Sequence, residues 1–171
     1  MTKKVAILMT DMVEDIEYTN PVEAIKADGH TVEVIAPEAG ELEGKQGGKF
    51  KADKGINDVQ PSDYDAVFIP GGFSPDLLRS DEEGRFGKFA KHFLEEDKPT
   101  FAICHGPQVL IDTDMLKDRN ITSFISVRKD LENAGAKVHD KSVVVCGNLV
   151  SSRQPDDLED FNREVKAQLD K

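Results

Sequence analysis

Cysteine is scarce in this chain: Cys104 and Cys146 are the only two, and they lie in unlike surroundings, so no disulfide framework is implied. Histidine is sparse too. His30, His92, His105 and His139 are scattered with no close ligand spacing, which argues against a structural zinc site. No apolar run approaches the roughly 18 residues needed to cross a bilayer, so no membrane partner is expected. The start, Met1-Thr2-Lys3-Lys4 before a strand-like run, lacks the apolar region and cleavage site of a signal peptide, and the expected location is the cytoplasm. Positive charge is in short supply, with 22 basic against 33 acidic side chains and a net charge of -11. Such a surface opposes binding to phosphate backbones, and nucleic acid is not an expected partner. Internal repeats and linkers rich in Pro, Gly or Ser are also missing, so residues 1–171 read as one α/β sandwich domain.

What is present centres on Phe101-Ala102-Ile103-Cys104-His105-Gly106-Pro107. Pro99 to Ile103 is a short apolar run suited to a buried strand, and Pro107 suits the first position of a helix through Gln108, Val109, Leu110 and Ile111. Cys104 therefore falls on the turn between them. A nucleophile there is held above the sheet beside the unpaired amides of the helix start, which favour a thiolate and can donate to an oxyanion. The plainer reading is a small buried residue at a strand end. The His-Gly-Pro that follows favours the reactive one.

Val5 to Met9 reads as a first central strand, Pro21, Val22, Ile25 and Ala27 as a helical stripe stopped by Asp28-Gly29, and Thr31 to Ala36 as a second strand. That order is a right-handed βαβ unit with parallel strands. Within Leu42 to Asp58, Gly47-Gly48 separates polar segments able to pair as a hairpin. Tyr64 to Pro70 is a third core strand running into Gly71-Gly72, glycines that permit either close backbone approach or an ordinary tight turn. Glu82 to Glu96 carries Phe86, Phe89, Ala90, Phe93 and Leu94 at helical spacing, a core-packing stripe. Further on, Ile121 to Phe124 reads as a strand and Val127 to Ala134 as a helix. Lys137-Val138 and Ser142 to Cys146 read as a strand pair joined by Asp140-Lys141, and Leu149 to Ser151 as another strand. Pro155 opens a last helix with Leu158, Phe161, Val165 and Leu169 on one face.

In a parallel sheet the loops at the carboxyl edge converge. Here they bring Glu14, Asp15 and Glu17 from the first, Gly71, Gly72 and Asp76 from the second, and His105 at the elbow. An acid beside a reactive thiol can share its proton if partial burial raises its pKa, and Glu17 is chosen for that role. The alternative is an exposed carboxylate favoured by a helix start. His105 contributes its amide, with a side chain that points away unless the turn or another subunit brings it back.

Ala102-Ile103-Cys104-His105-Gly106-Pro107-Gln108 resembles the nucleophile elbow of the DJ-1/PfpI superfamily, nearest its PfpI branch of intracellular cysteine peptidases. Glu14-Asp15-Ile16-Glu17 with Pro21 is similar to that family's first-loop acidic motif. Pro70-Gly71-Gly72 with Pro75, Asp76 and Arg79 is similar to its second loop, and Val145 to Arg153 with Pro155 and Leu158 to its C-terminal signature. The resemblance implies a flavodoxin-like three-layer α/β sandwich with a mainly parallel sheet, assembled as a homodimer or larger homo-oligomer. It implies Cys104 as the reactive thiol, Glu17 as the carboxyl beside it, and amides of Gly72 and His105 as an oxyanion pocket. His105 would meet an acid from a neighbouring subunit, a position held here by Asp76 instead of the longer glutamate of the archaeal proteases. Activities across the superfamily include peptidase, cofactor-independent glyoxalase, repair of glycated groups, chaperoning and oxidation sensing. The leading expectation is a stress-response enzyme turning a small reactive carbonyl such as methylglyoxal into a hydroxy acid without metal or organic cofactor. A peptidase acting on peptides and a redox-sensitive chaperone or sensor are the alternatives.

Overall fold

The computed structural model describes residues 1–171. The chain opens with β1 (Lys4–Leu8), α1 (Asp15–Ala27) and β2 (Thr31–Ala36), then makes an excursion hairpin of β3 (Gly40–Glu43) and β4 (Lys49–Ala52) before the short β5 (Lys54–Gly55). There follow β6 (Ala66–Ile69), α2 (Ser74–Arg79), α3 (Arg85–Glu95), β7 (Thr100–Ile103) and α4 (Gln108–Ile111). The last third holds β8 (Asn120–Ile121), α5 (Arg128–Asn133), β9 (Lys137–Val138), β10 (Val143–Cys146), β11 (Leu149–Ser152) and α6 (Leu158–Leu169).

Seven strands form the central sheet in the order β10-β11-β7-β6-β1-β2-β5, parallel except for β10, which runs antiparallel to β11. This is the flavodoxin-like α/β arrangement. The strand pleat divides the core into two layers. Val5, Ile7 and Met9 face the side of Val22, Ile25, Phe161 and Val165, from α1 and α6, whereas Ala6 and Leu8 face the side of Phe86, Phe89 and Phe93, from α3. Because β1 is flanked by β2 on one side and β6 on the other, the chain leaves these two strands in opposite directions. A crevice opens at their carboxyl ends, where open α/β sheets bind ligands.

Four elements depart from the sequence reading, the first being the strand expected over Ile121 to Phe124, which is only the two-residue β8 ending at Ile121. Helix α1 begins at Asp15 rather than near Pro21, which lies inside it. The missing Pro N–H leaves the Glu17 carbonyl without its helical partner, and the polar run before Pro21 hid the true start. Helix α2 occupies what read as loop. The expected pairing of Lys137-Val138 with Ser142–Cys146 does not form. Instead β9 pairs in parallel with β8, and β10 folds back on β11 around Gly147-Asn148. Gly147 takes φ +59°, as a tight two-residue turn requires, whereas Asp140 is tied to Arg128 and Arg153 at 3.0 and 2.9 Å.

Candidate active site

Cys104 has φ +63°, a left-handed conformation that is costly for a residue with a Cβ. Its surroundings hold it there. The Cys104 N–H donates to the Ser152 carbonyl at 3.0 Å, the Cys104 carbonyl accepts the Phe124 N–H at 2.8 Å, and the Gly106 N–H closes the turn on the Ile103 carbonyl at 2.9 Å. Gly106 has no alternative: a Cβ there would collide with the Ile69 carbonyl and lie 2.9 Å from that of Ile103. The thiol is thereby aimed over the sheet edge while the side chain stays 7% exposed.

The loops after β1 and β6 are stitched together beneath it. Val13 and Gly72 form an isolated antiparallel bridge, the Phe73 N–H donates to the Met12 carbonyl at 2.9 Å, and the Glu14 N–H to the Gly71 carbonyl at 3.3 Å. At φ +79°, with no room for a Cβ against Met12, Val13 and Glu14, Gly72 allows this approach. Its amide and that of His105 lie close enough to the Cys104 sulfur to favour negative charge there.

Glu17, in the first turn of α1, is fully buried rather than lying on an exposed helix start. Its Oε1 accepts the Gly71 N–H at 3.0 Å, and Oε2 has no hydrogen-bond partner; the Cys104 thiol is the side chain that most favours its charged form. Burial, aided by the negative charge of Glu14, raises the Glu17 pKa to about 8 against the lowering effects of Cys104, the Gly71 amide and Lys45. Burial likewise pushes the Cys104 thiol up, and an ionised Glu17 pushes it further, while the amides of His105 and Gly72 act in the opposite sense. A proton kept on Glu17 removes the repulsion and supplies a donor to the sulfur. The charge state of Glu17 therefore bears directly on how readily the thiol ionises.

His105 and Asp76 share the cleft without forming a triad in one protomer. The His105 ring stacks on Phe124, centroids 4.8 Å apart at 26°, and burial lowers its pKa, assisted by Lys45 and opposed by Asp76. Asp76 accepts a long 3.4 Å bond from Gln108, which in turn meets Arg79, itself bonded through two nitrogens to Asp112 at 2.9 and 2.7 Å. The cleft has a volume of about 480 Å³ and brings together Glu17, Gly72, Asp76, Cys104 and His105. Sequence reasoning missed five of its walls: Met12, Phe73, Phe124, Pro155 and Lys45. Lys45 comes from the β3–β4 tip, and the only local signal was the run of glycines around it. Cys146 lies elsewhere, its sulfur accepting the Asn120 N–H at 3.3 Å.

One further cluster has the residue types of a metal centre. Asp28, His30 and Asp170 place ligand atoms within 4.8 Å of one another between the ends of α1 and α6. His30 Nδ1 accepts the Lys3 N–H at 3.0 Å, so Nε2 carries the ring proton, with Asp28 and Asp170 3.3 and 3.5 Å away. A protonated ring nitrogen has no lone pair for a metal. Lys166 already bridges the two carboxylates at 2.8 and 2.7 Å, which makes the cluster a staple between helices.

The DJ-1/PfpI family model matches residues 3–168. An uncharacterized protein of Staphylococcus aureus strain Mu50 is 59% identical over 170 residues, covering 99% of each chain. Among solved structures, a two-domain protein of Anabaena variabilis with DJ-1/ThiJ/PfpI-like and ferritin-like domains superposes with a TM-score of 0.93 at 39% identity. That match takes in 99% of this chain and 48% of the longer one, about half its length. A ThiJ/PfpI domain protein of Brachyspira murdochii gives 0.92 at 26% identity, covering 99% of this chain and 97% of that one. No helix is long and apolar enough to cross a membrane. With the elbow, the crevice and these likenesses in agreement, the chain belongs to the DJ-1/PfpI family.

Proposed function

We propose that this protein is a cysteine-dependent enzyme for small reactive carbonyls that converts a 2-oxoaldehyde such as methylglyoxal into the 2-hydroxy acid. The observation that carries this reading is the left-handed Cys104 beside a buried Glu17 that retains its proton near neutrality. In the first step the sulfur bonds to the aldehyde carbon, the thiol proton passes through Glu17, and the carbonyl oxygen becomes the hydroxyl of a hemithioacetal. Amides of Gly72 and His105 face the oxygen as its charge develops. Transfer of the C1 proton to C2 through an enediol, with Glu17 as the carrier, oxidises C1 and reduces C2 and leaves a thioester of the hydroxy acid. Water then cleaves the thioester, returning the thiol. The sum is oxoaldehyde plus water to hydroxy acid, with no external oxidant or reductant.

The peptidase reading draws on a different observation. Met12 and Phe73 stand exposed at the cleft, with Ile125 exposed next to Phe124, an apolar rim that a second subunit would cover while bringing an acid to His105. It ranks second because the His105 ring is stacked on Phe124 instead of being directed at the sulfur.

The test is methylglyoxal consumption with product identification, without added glutathione, for the wild-type protein and Cys104→Ser. Lactate formation is expected from the first and none from the second. No turnover by the wild-type protein overturns the carbonyl-enzyme reading, and peptide hydrolysis or oxygen addition at Cys104 would then name its replacement.

A further inference from the structure

The β3–β4 hairpin stands outside the central sheet, yet its tip is fastened to the candidate site. Asp15, at the start of α1, accepts the Gln46 N–H at 3.0 Å and the Gly48 N–H at 2.8 Å. The Lys45 N–H donates to the Val13 carbonyl, and the Met12 N–H to that of Glu43, both at 2.8 Å. Gly44 and Gly48 seat the tip: a Cβ on the first would lie 2.6 Å from the Asp15 carboxyl carbon, and one on the second 2.7 Å from Phe50 Cζ. Backbone contacts therefore fix the position of residue 45 independently of its side chain.

That side chain reaches the cleft, and Lys45 is the one lysine or arginine lining it. Its ammonium lies 3.4 Å from Glu14 Oε2, while Gln46 donates to the other Glu14 oxygen at 3.2 Å. Glu14 thus occupies one of three donors on a half-exposed ammonium. The Lys45 charge is felt at both Glu17 and His105, which places it in electrostatic range of the sulfur's immediate surroundings. The chain as a whole repels anions, with its net charge of -11, and the cleft also holds the carboxylates of Glu14 and Asp76, so Lys45 is the cation there that offsets them. Salt screens that repulsion beyond about 8 Å, whereas an ammonium at the cleft wall acts within that distance.

We propose that Lys45 is a specificity-determining residue and that the cleft selects reactive carbonyl compounds bearing a carboxylate over neutral ones of similar size. This rests on the function proposed above for its substrate class, but the selection of anions at Cys104 can be read without turnover. Alkylation of Cys104 by iodoacetate and by iodoacetamide compares two reagents of nearly equal size that differ in charge, each forming a carbon–sulfur bond with loss of iodide. The rate ratio, iodoacetate over iodoacetamide, is expected to fall about fivefold in Lys45→Gln, to be restored in Lys45→Arg, and to fall in the wild-type protein at high salt. In parallel, the ratio of kcat/KM for 4,5-dioxopentanoate, a 2-oxoaldehyde ending in a carboxylate, over methylglyoxal should fall about tenfold in Lys45→Gln.

An alkylation ratio unchanged in Lys45→Gln overturns the proposal, since the lysine then has no bearing on charge at the sulfur. If the alkylation ratio falls as expected but neither aldehyde is turned over, the carbonyl-enzyme function is overturned and anion selection by Lys45 stands. Failure of both reagents to modify Cys104 overturns both.

Discussion

The two ends of helix α1 each gather carboxylates, in the open around a buried His30 at one end and sealed from water at Glu17 at the other, and they use them in opposite ways. At the C-terminal end Asp28 and Asp170 share Lys166, with the His30 ring 3.3 and 3.5 Å from them, so each carboxylate has a counter-charge in place. At the N-terminal end Glu17 has no cation within bonding distance, only the Gly71 amide donates to it, and its second oxygen is left without a partner in the neighbourhood of the Cys104 thiol. The first arrangement neutralises charge by pairing and ties α1 to α6. The second neutralises it by retaining a proton, which leaves that proton mobile beside a nucleophile. Burial alone does not make a site; burial without a partner charge does.

The sharpest test of this contrast is Glu17→Gln. In an unfolded chain Glu17 titrates near 4.5 and in the folded protein near 8, so between these values the native state binds a proton that the unfolded state has released. Stability from this group therefore declines as pH rises through that window. At pH 7 the glutamine variant should be more stable by about 3 kcal/mol, with a flatter pH dependence, in urea unfolding at pH 5 and pH 8. Its carbonyl turnover should drop about a hundredfold. A variant less stable at both pH values would mean that Glu17 is a structural group like Asp28.

Gly71→Ala probes the same end by geometry. A Cβ at residue 71 would collide with Glu17 Oε1 and lie 2.9 Å from Cys104 Cβ and 3.0 Å from the Ile103 carbonyl. Displacement of the acid from the thiol should cost about tenfold to a hundredfold in turnover, with KM changed less than kcat. Unaltered kinetics would show that the pair tolerates a looser contact than the structure holds. Lys166→Met, at the opposite end, is expected to have the smallest effect: Tm lower by about 1 to 3 °C and the Cys104 alkylation rate unaltered. A change in that rate would couple the two ends and break the contrast.

Much of this organisation is legible along the chain, because it depends on neighbours in sequence. Thr31–Ala36 is a strand with the bounds its apolar pattern suggests, and the stripe of Phe86, Phe89 and Phe93 is the buried face of α3. The Ile103-Cys104-His105-Gly106-Pro107 run marks its own turn, since an apolar strand and a helix-opening proline are local signals, whereas the Ile69 carbonyl that forbids a side chain at Gly106 is brought there by the fold. Glu17 could be singled out, but its burial could not. That depends on Gly71, far along the chain, and on Cys104 closing over it. Nor could the sequence place Lys45, whose location follows from Asp15 capturing the hairpin tip, or the pairing of β10 with β11, which competed with an equally plausible local turn at Asp140-Lys141. Period and turn chemistry determined the elements and the elbow. Only the tertiary structure decided which carboxylate lost its water and its counter-charge, because desolvation is imposed by packing between segments that periodicity and turn chemistry treat separately.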